Sequence, residues 1–293
     1  GLSVGSLPTT QPGWSVLRRT RTRALAEGGR ALYMEVIHGA KAKSDRIDSE
    51  KIAVLVRGGL MPVAYAYPAD MRATRDLMRR RLLFVRQRGS LLAHIQITHH
   101  QYNVDPPGKR ITYRSNREGL GEGFEDSSVR HSIAADLALA DHYEVTIGEL
   151  ELAVLRHARI HDPNALALLT SVPGIGKVLA LTILYEIHDI ARFPSVRDFA
   201  SYSRLVKCER TSAGKRLRIG GDKIGNSFLK LAFSEAAVLC IAKSEQGRTV
   251  LTRLERKYGK PKALSVLAHK LGRAVYYMLA RKQAFDPQRF ATS

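Results

Sequence analysis

The sequence predicts a short α/β unit, then two long helices, then an all-helical C-terminal region. Three observations lead there. Short apolar runs with strand character flank one helical stretch between residues 31 and 68. Two long proline-free stretches follow, 69–104 and 129–160. From 163 to 286 apolar residues recur at helical spacing, punctuated by glycine turns.

Residues 1–30 are low in apolar periodicity and rich in Gly, Ser, Thr and Arg, the composition of a disordered or non-native leader. Ala31 to Ile37 (ALYMEVI) reads as a strand, and HGAKAKS after it as a basic turn. Asp48 to Arg57 is helical through Ile52, Ala53 and Val56 and stops at Gly58-Gly59. Leu60 to Tyr67 reads as a second short strand, closed by Pro68. Residues 31–68 are therefore expected to be part of an α/β domain.

The helical region spans 69–162, with a Gly-rich loop at 105–128. Met71, Leu77, Leu82, Val85, Leu92 and Ile95 form the apolar stripe of its first helix. Between Met71 and His94 that helix carries Arg72, Arg75, Arg79, Arg80, Arg81, Arg86 and Arg88 with one acid, Asp76. Such a face suits nucleic-acid phosphates; a solvated face of a structural helix is the alternative. The second helix carries Ile133, Leu137, Ile147, Leu150, Val154 and Leu155, so the two are expected to pair antiparallel as in a coiled coil.

Residues 163–293 make the C-terminal domain. Ala165 to Ser171, Pro173-Gly174-Ile175-Gly176 and Val178 to Ile187 have the helix, glycine turn, helix order of a helix–hairpin–helix. Gly174, Gly176 and Lys177 would then hold a phosphate through backbone N–H groups and a helix N-terminus. A tight structural connection is the alternative. Between Arg204 and Lys230 the cations Lys207, Arg210, Lys215, Arg216, Arg218 and Lys223 face only two acids, Glu209 and Asp222. Ser212 sits among them, where a scissile phosphate would be stabilised, although Ser beside Gly is also turn chemistry. Asp222 is placed to cap the next helix, and a last helix runs from Leu264 to Ala280.

Bulk composition narrows the partners. Lys and Arg number 47 against 27 Asp and Glu, a net charge of +20, with an ordinary apolar fraction of 44%. That surplus favours nucleic acid or an anionic membrane surface. No stretch has the uninterrupted apolar length of a membrane span, no secretory signal is visible, and two cysteines exclude a disulfide scaffold. A cytoplasmic, nucleoid-associated protein acting on DNA or RNA is the expectation. Asp45 and Asp48 share a face of a helix, as half of a divalent-metal site would. A two-metal site wants three or four carboxylates, and only Glu27 and Glu35 precede this pair. A solvated, capped helix start explains the same spacing.

Ser44-Asp45-Arg46-Ile47-Asp48-Ser49 resembles a signature of the DEDD-type, bridge-RNA-guided transposases of insertion sequences, the one-hundred-and-ten family. Leu169 to Gly176, Arg192 to Ser195, Thr211 to Lys215 and Gly221 to Asn226 resemble that family's C-terminal motifs. The resemblance covers roughly 31–286. It implies a RuvC-like domain of ribonuclease H type, of which 31–68 would be a remnant, a coiled-coil insertion and a C-terminal transposase domain. It also implies Asp45 and Asp48 as two of four metal carboxylates holding Mg²⁺, and Ser212 as a nucleophile that joins DNA covalently. The implied partners are DNA of the mobile element and its target, a structured guide RNA and further copies of the chain. The Asp-bearing first strand and the Glu-bearing strand have no counterpart before Ala31, so an N-terminally truncated transposase is expected. Two accounts follow: DNA strand cleavage and rejoining through a serine–DNA intermediate, or a catalytically incomplete DNA- and RNA-binding remnant.

Overall fold

The computed structural model describes residues 45–60, 65–206, 209–212, 215–219 and 225–292; for Asp45, Ile47, Asp48, Lys51, 209–212 and 215–219 it describes the backbone alone. The chain divides into two units, 1–68 and 69–293.

In the first unit helix α1 (Asp45–Arg57) ends where the glycines direct it. Gly59 takes φ 66°, and Leu60 N–H donates back to the Leu55 carbonyl at 2.9 Å. This is the left-handed closure that an L side chain resists. Two acids three apart at a helix start also favour the helix dipole without any chemistry.

The second unit holds α2 (Ala69–Gln101), α3 (Ser127–His161), α4 (Pro163–Thr170), α5 (Lys177–Ile187), α6 (Val196–Tyr202), β1 (Glu209–Ser212), β2 (Lys215–Ile219), α7 (Ser227–Lys243), α8 (Glu245–Tyr258), α9 (Lys260–Arg281) and α10 (Pro287–Thr292). Helix α2 closes just past Gln101, where Asn103 adopts φ 55°. Val104 N–H then donates to the His99 carbonyl at 2.9 Å.

Ion pairs set the register of α2 against α3. Arg81 meets Glu151 at 2.6 Å and Arg88 meets Glu144 at 3.7 Å, while His94 Nδ1 lies 2.6 Å from Asp136. Seven residues forward on α2 is seven back on α3, so the helices run antiparallel, as expected. The loop that joins them is pinned. Arg117 is buried, donates Nε to the Ile111 carbonyl at 2.9 Å, and pairs with Asp141 and Glu144. Leu92, Ile95, Ile111, Phe124, Val129 and Ile133 pack into a small core beneath it. Asp126 caps α3 by accepting from Ser128 N at 2.6 Å, and these backbone donors hold its carboxyl below the usual range.

The main core lies among the first turns of α2, the last turns of α3, and α4 to α9. Its largest fully buried side chains include Tyr185, Phe199, Phe233, Leu181, Ile183 and Leu267. Asp162 ends α3 and starts α4: its N–H donates to the Ala158 carbonyl, and its carboxylate accepts from Ala165 N at 2.8 Å. Pro163 occupies the first position of α4, where no amide donor is needed.

Two expectations are corrected. The described residues are almost wholly helical, and their strands are β1 and β2, an antiparallel pair. Such a hairpin cannot serve as the central sheet of a RuvC-like, ribonuclease H type fold, so that fold class does not hold. Of the two strands expected for it, Ala31–Ile37 lies outside the described residues. In the second, Tyr65–Tyr67 has no regular structure and 61–64 are not described. A short apolar run has the composition of a strand, but only a hydrogen-bonded partner makes it one. The leader expected at 1–30 also lies outside the described residues. The second correction is that the C-terminal region is not helical throughout: it carries the hairpin.

Candidate nucleic-acid interface

The hairpin rises from a base that the core fixes. Helix α5 is apolar apart from Lys177 at its start, the hydroxyls of Thr182 and Tyr185, and Glu186, which is 2% exposed. A buried carboxylate must be paired. Arg79 from α2 clamps it with two donors, Nε to Oε1 at 2.6 Å and Nη2 to Oε2 at 2.7 Å. Asn226 adds Nδ2 to Oε2 at 2.7 Å. The other end of that amide, Oδ1, accepts from Phe228 N at 2.9 Å and Leu229 N at 3.1 Å and so caps α7. One orientation of the amide satisfies both demands. The Arg79 guanidinium also lies 4.6 Å over the Phe228 ring. Arg192 stands over Phe193 and Tyr202 at 4.6 and 4.7 Å and reaches the Glu186 carbonyl at 3.4 Å.

The same cluster ties the two ends of the basic segment together. Chain leaves α6 at Tyr202 and returns at Asn226, whose N–H donates to the Tyr202 carbonyl at 2.6 Å. Gly225 between them has φ 97°, and a Cβ there would sit 2.6 Å from that carbonyl. Between these two ends in the chain lie β1 and β2, paired Glu209 with Ile219, Arg210 with Arg218, Thr211 with Arg216 and Ser212 with Lys215, with an irregularity after Arg210. Directly opposed like charges weaken a strand pair. Arg210 and Arg218 are register partners, so the sequence places two cations at one rung of this ladder.

The other expected residues separate. Gly174 is buried with φ 94°, and a Cβ on it would lie 2.5 Å from Cys240 N and 2.6 Å from the Ala236 carbonyl. Its immediate role is to let the turn press on the backbone of α7. Gly176 and Lys177 are exposed at the start of α5. Arg79 and Arg81 are held by Glu186 and Glu151, and Arg75 meets Asp76 at 3.4 Å. Arg72 is half-buried; Arg80 and Arg86 are exposed. Asp45 and Asp48 lie on α1 of the first unit and Ser212 lies on β1 of the second. Lys223, like Asp222, is outside the described residues; the cap expected of Asp222 is supplied to α7 by Asn226.

The metal-assisted serine mechanism is not supported. Among the described residues no three His, Cys, Asp or Glu side chains come together in a group able to hold a metal ion. The described residues hold no ribonuclease H type sheet either, so they do not support strand cleavage through a serine–DNA intermediate. Sequence reasoning passed over Glu186 and Asn226 as a pair. The available signal was one acid inside the apolar run KVLALTILYEI, which burial obliges to find a cation.

Comparison with known proteins bears on this base. Residues 166–251 match the family described as Transposase IS116/IS110/IS902 family, a segment that contains the Gly174 turn, Glu186, the hairpin and Asn226. Membership is supported at the level of this family. The transposase y4qE of Sinorhizobium fredii is 26% identical over 244 residues, covering 83% of this chain and 60% of that protein. The transposase for insertion sequence element IS1111A of Coxiella burnetii is 22% identical over 253 residues, covering 83% of this chain and 68% of that protein. The chain thus spans about 60% of the length of the first of these relatives. Among the described residues no helix is long and apolar enough to cross a membrane.

Proposed function

We propose that this chain is a nucleic-acid-binding part of an IS116/IS110/IS902-type transposase and that it does not cleave DNA by itself. It engages the DNA of the mobile element and its target through phosphates, with little regard to sequence. The observation that carries this reading is the hairpin: Arg210, Lys215, Arg216 and Arg218 stand on two paired strands whose base is locked by Glu186, Arg79 and Asn226. Exposed Arg80, Arg86 and Lys177 extend the phosphate-binding surface, while Arg79 and Arg81 act through the fold. The net charge of +20 supports the same reading. A structured guide RNA offers the same phosphate chemistry and is the second ligand; assembly with further copies of the chain completes the proposal.

The test is a gel-shift series with duplexes of unrelated sequence, followed by denaturing gels of the same mixtures with Mg²⁺. All duplexes should shift at similar protein concentrations, with neither cut strands nor a protein–DNA adduct. The double variant Arg210→Gln, Arg218→Gln should weaken all of them alike. No shift at low salt would sink the binding reading. Cut strands or an adduct would sink the statement that the chain does not cleave.

A further inference from the structure

A second cationic surface lies C-terminal to the family-matched segment. Helices α8 and α9 and the segment 283–290 enclose a cleft of about 730 Å³. Arg253, Lys257, Lys270, Arg273, Arg281 and Arg289 line it, against one acid, Asp286. That carboxylate is already committed to α10, accepting from Gln288 N at 2.9 Å and Arg289 N at 3.0 Å. Arg253 in turn donates to the Ala291 carbonyl at 2.8 Å, so it fixes the closing segment in place. The cations are crowded. Burial, with Arg253 and Arg273 nearby, holds the Lys270 ammonium below its usual range, and burial and Arg273 do the same to His269.

Aromatic rings alternate with these cations. Lys270 Nζ lies 5.2 Å over Phe290, the Arg281 guanidinium 4.9 Å over Tyr277 and Lys257 Nζ 5.3 Å over Tyr258. Tyr258 and Tyr277 are more than a third exposed, 38% and 37%. Such a volume falls in the range of small-ligand clefts, so it admits a few nucleotides of one strand and excludes a duplex. Cations that meet phosphates, next to ring faces that stack on bases, are the combination that holds single strands. An acidic peptide would use the cations and leave the rings idle.

We propose that this cleft seats a single-stranded segment of nucleic acid, with phosphates on Lys270 and Arg273 and a base against Tyr277. The proposal rests on the nucleic-acid reading above and deepens it: the hairpin takes phosphates of any form, and the cleft takes a strand that has separated from its complement.

The experiment is fluorescence anisotropy of the full chain with short single-stranded DNA, single-stranded RNA and duplex DNA of the same sequence. The variants are Arg273→Gln and Tyr277→Ala, at exposed positions, with melting temperatures measured alongside. Each should weaken single-strand binding about tenfold and leave duplex binding within about twofold. Loss on the DNA strand, the RNA strand or both supports the cleft and says which it takes. Unchanged single-strand affinity in both variants, or equal loss on strand and duplex, overturns it. If duplex binding by the unaltered chain is absent as well, the nucleic-acid reading itself has failed. Duplex binding that persists beside indifferent cleft variants condemns this inference alone.

Discussion

At the scale of single residues, Glu186 organises more of the second unit than any of the expected site residues. It joins α2, α5 and the first turn of α7 through Arg79 and Asn226. Arg79→Ala leaves its carboxylate buried with one partner fewer and should lower stability by about 3 kcal/mol, read by urea denaturation. Asn226→Ala removes both a cap and a partner and should cost about 2–4 kcal/mol. Changes below about half a kilocalorie in both variants would remove the cluster from its role. Two histidines give a pH signature. Burial pushes His188 and His269 below 6.5, with Asp189, Arg192 and Asp70 around the first and Arg273 beside the second. A depressed histidine costs nothing well above 6.5, where folded and unfolded forms are both neutral. As pH falls below 6.5 the unfolded form takes up the proton first, so stability falls until the folded histidine titrates too. His269→Gln should flatten the decline in melting temperature between pH 7 and pH 5. An unaltered decline in that variant and in His188→Gln would refute the assignment. These residues were hard to find in the sequence. Arg79 looked like one of seven arginines on a helix, and Glu186 was one acid in an apolar stretch. Only the fold puts them within reach of each other.

At the scale of elements, legibility followed periodicity. The stripes of α2 and α3 are long enough to declare themselves, and Gly58-Gly59 marked the end of α1 as an αL closure does. The hairpin had no such pattern. ERTS and KRLRI are short, highly charged and without aromatic residues, and the alternation of Arg216 to Ile219 is too brief to declare a strand. What makes them strands is their antiparallel pairing with each other, which no single-strand pattern declares. The Asp45 and Asp48 pair is ambiguous for a related reason: an i, i+3 spacing at a helix start serves dipole and capping as well as it serves a metal. The PGIG turn was legible as a turn, while the reason for Gly174 came from α7 lying against it. Gly174→Ala would need both a left-handed alanine and a retreat of the Cys240 backbone. It should destabilise by about 2–5 kcal/mol in thermal or chemical unfolding, with Gly176→Ala costing far less. Equal effects at the two glycines would mean that the turn is not pressed on α7.

At the scale of the molecule, the surplus of Lys and Arg was legible from composition and pointed to polyanions from the outset. Its partition was not. Arg81, Arg88 and Arg117 are spent on acids of α3 and Arg79 on Glu186, so a run of arginines overstates the charge open to a ligand. The surfaces that remain, the hairpin and the basic cleft, carry the account, and its central claim is that phosphate neutralisation drives binding. A salt titration of duplex affinity tests it most directly. With about six phosphates neutralised, affinity should fall by about a thousandfold between 50 and 200 mM salt, along a straight line of log K against log salt. The double variant Arg210→Gln, Arg218→Gln should reduce that slope by about two. A duplex affinity that stays flat across the same range would contradict the account.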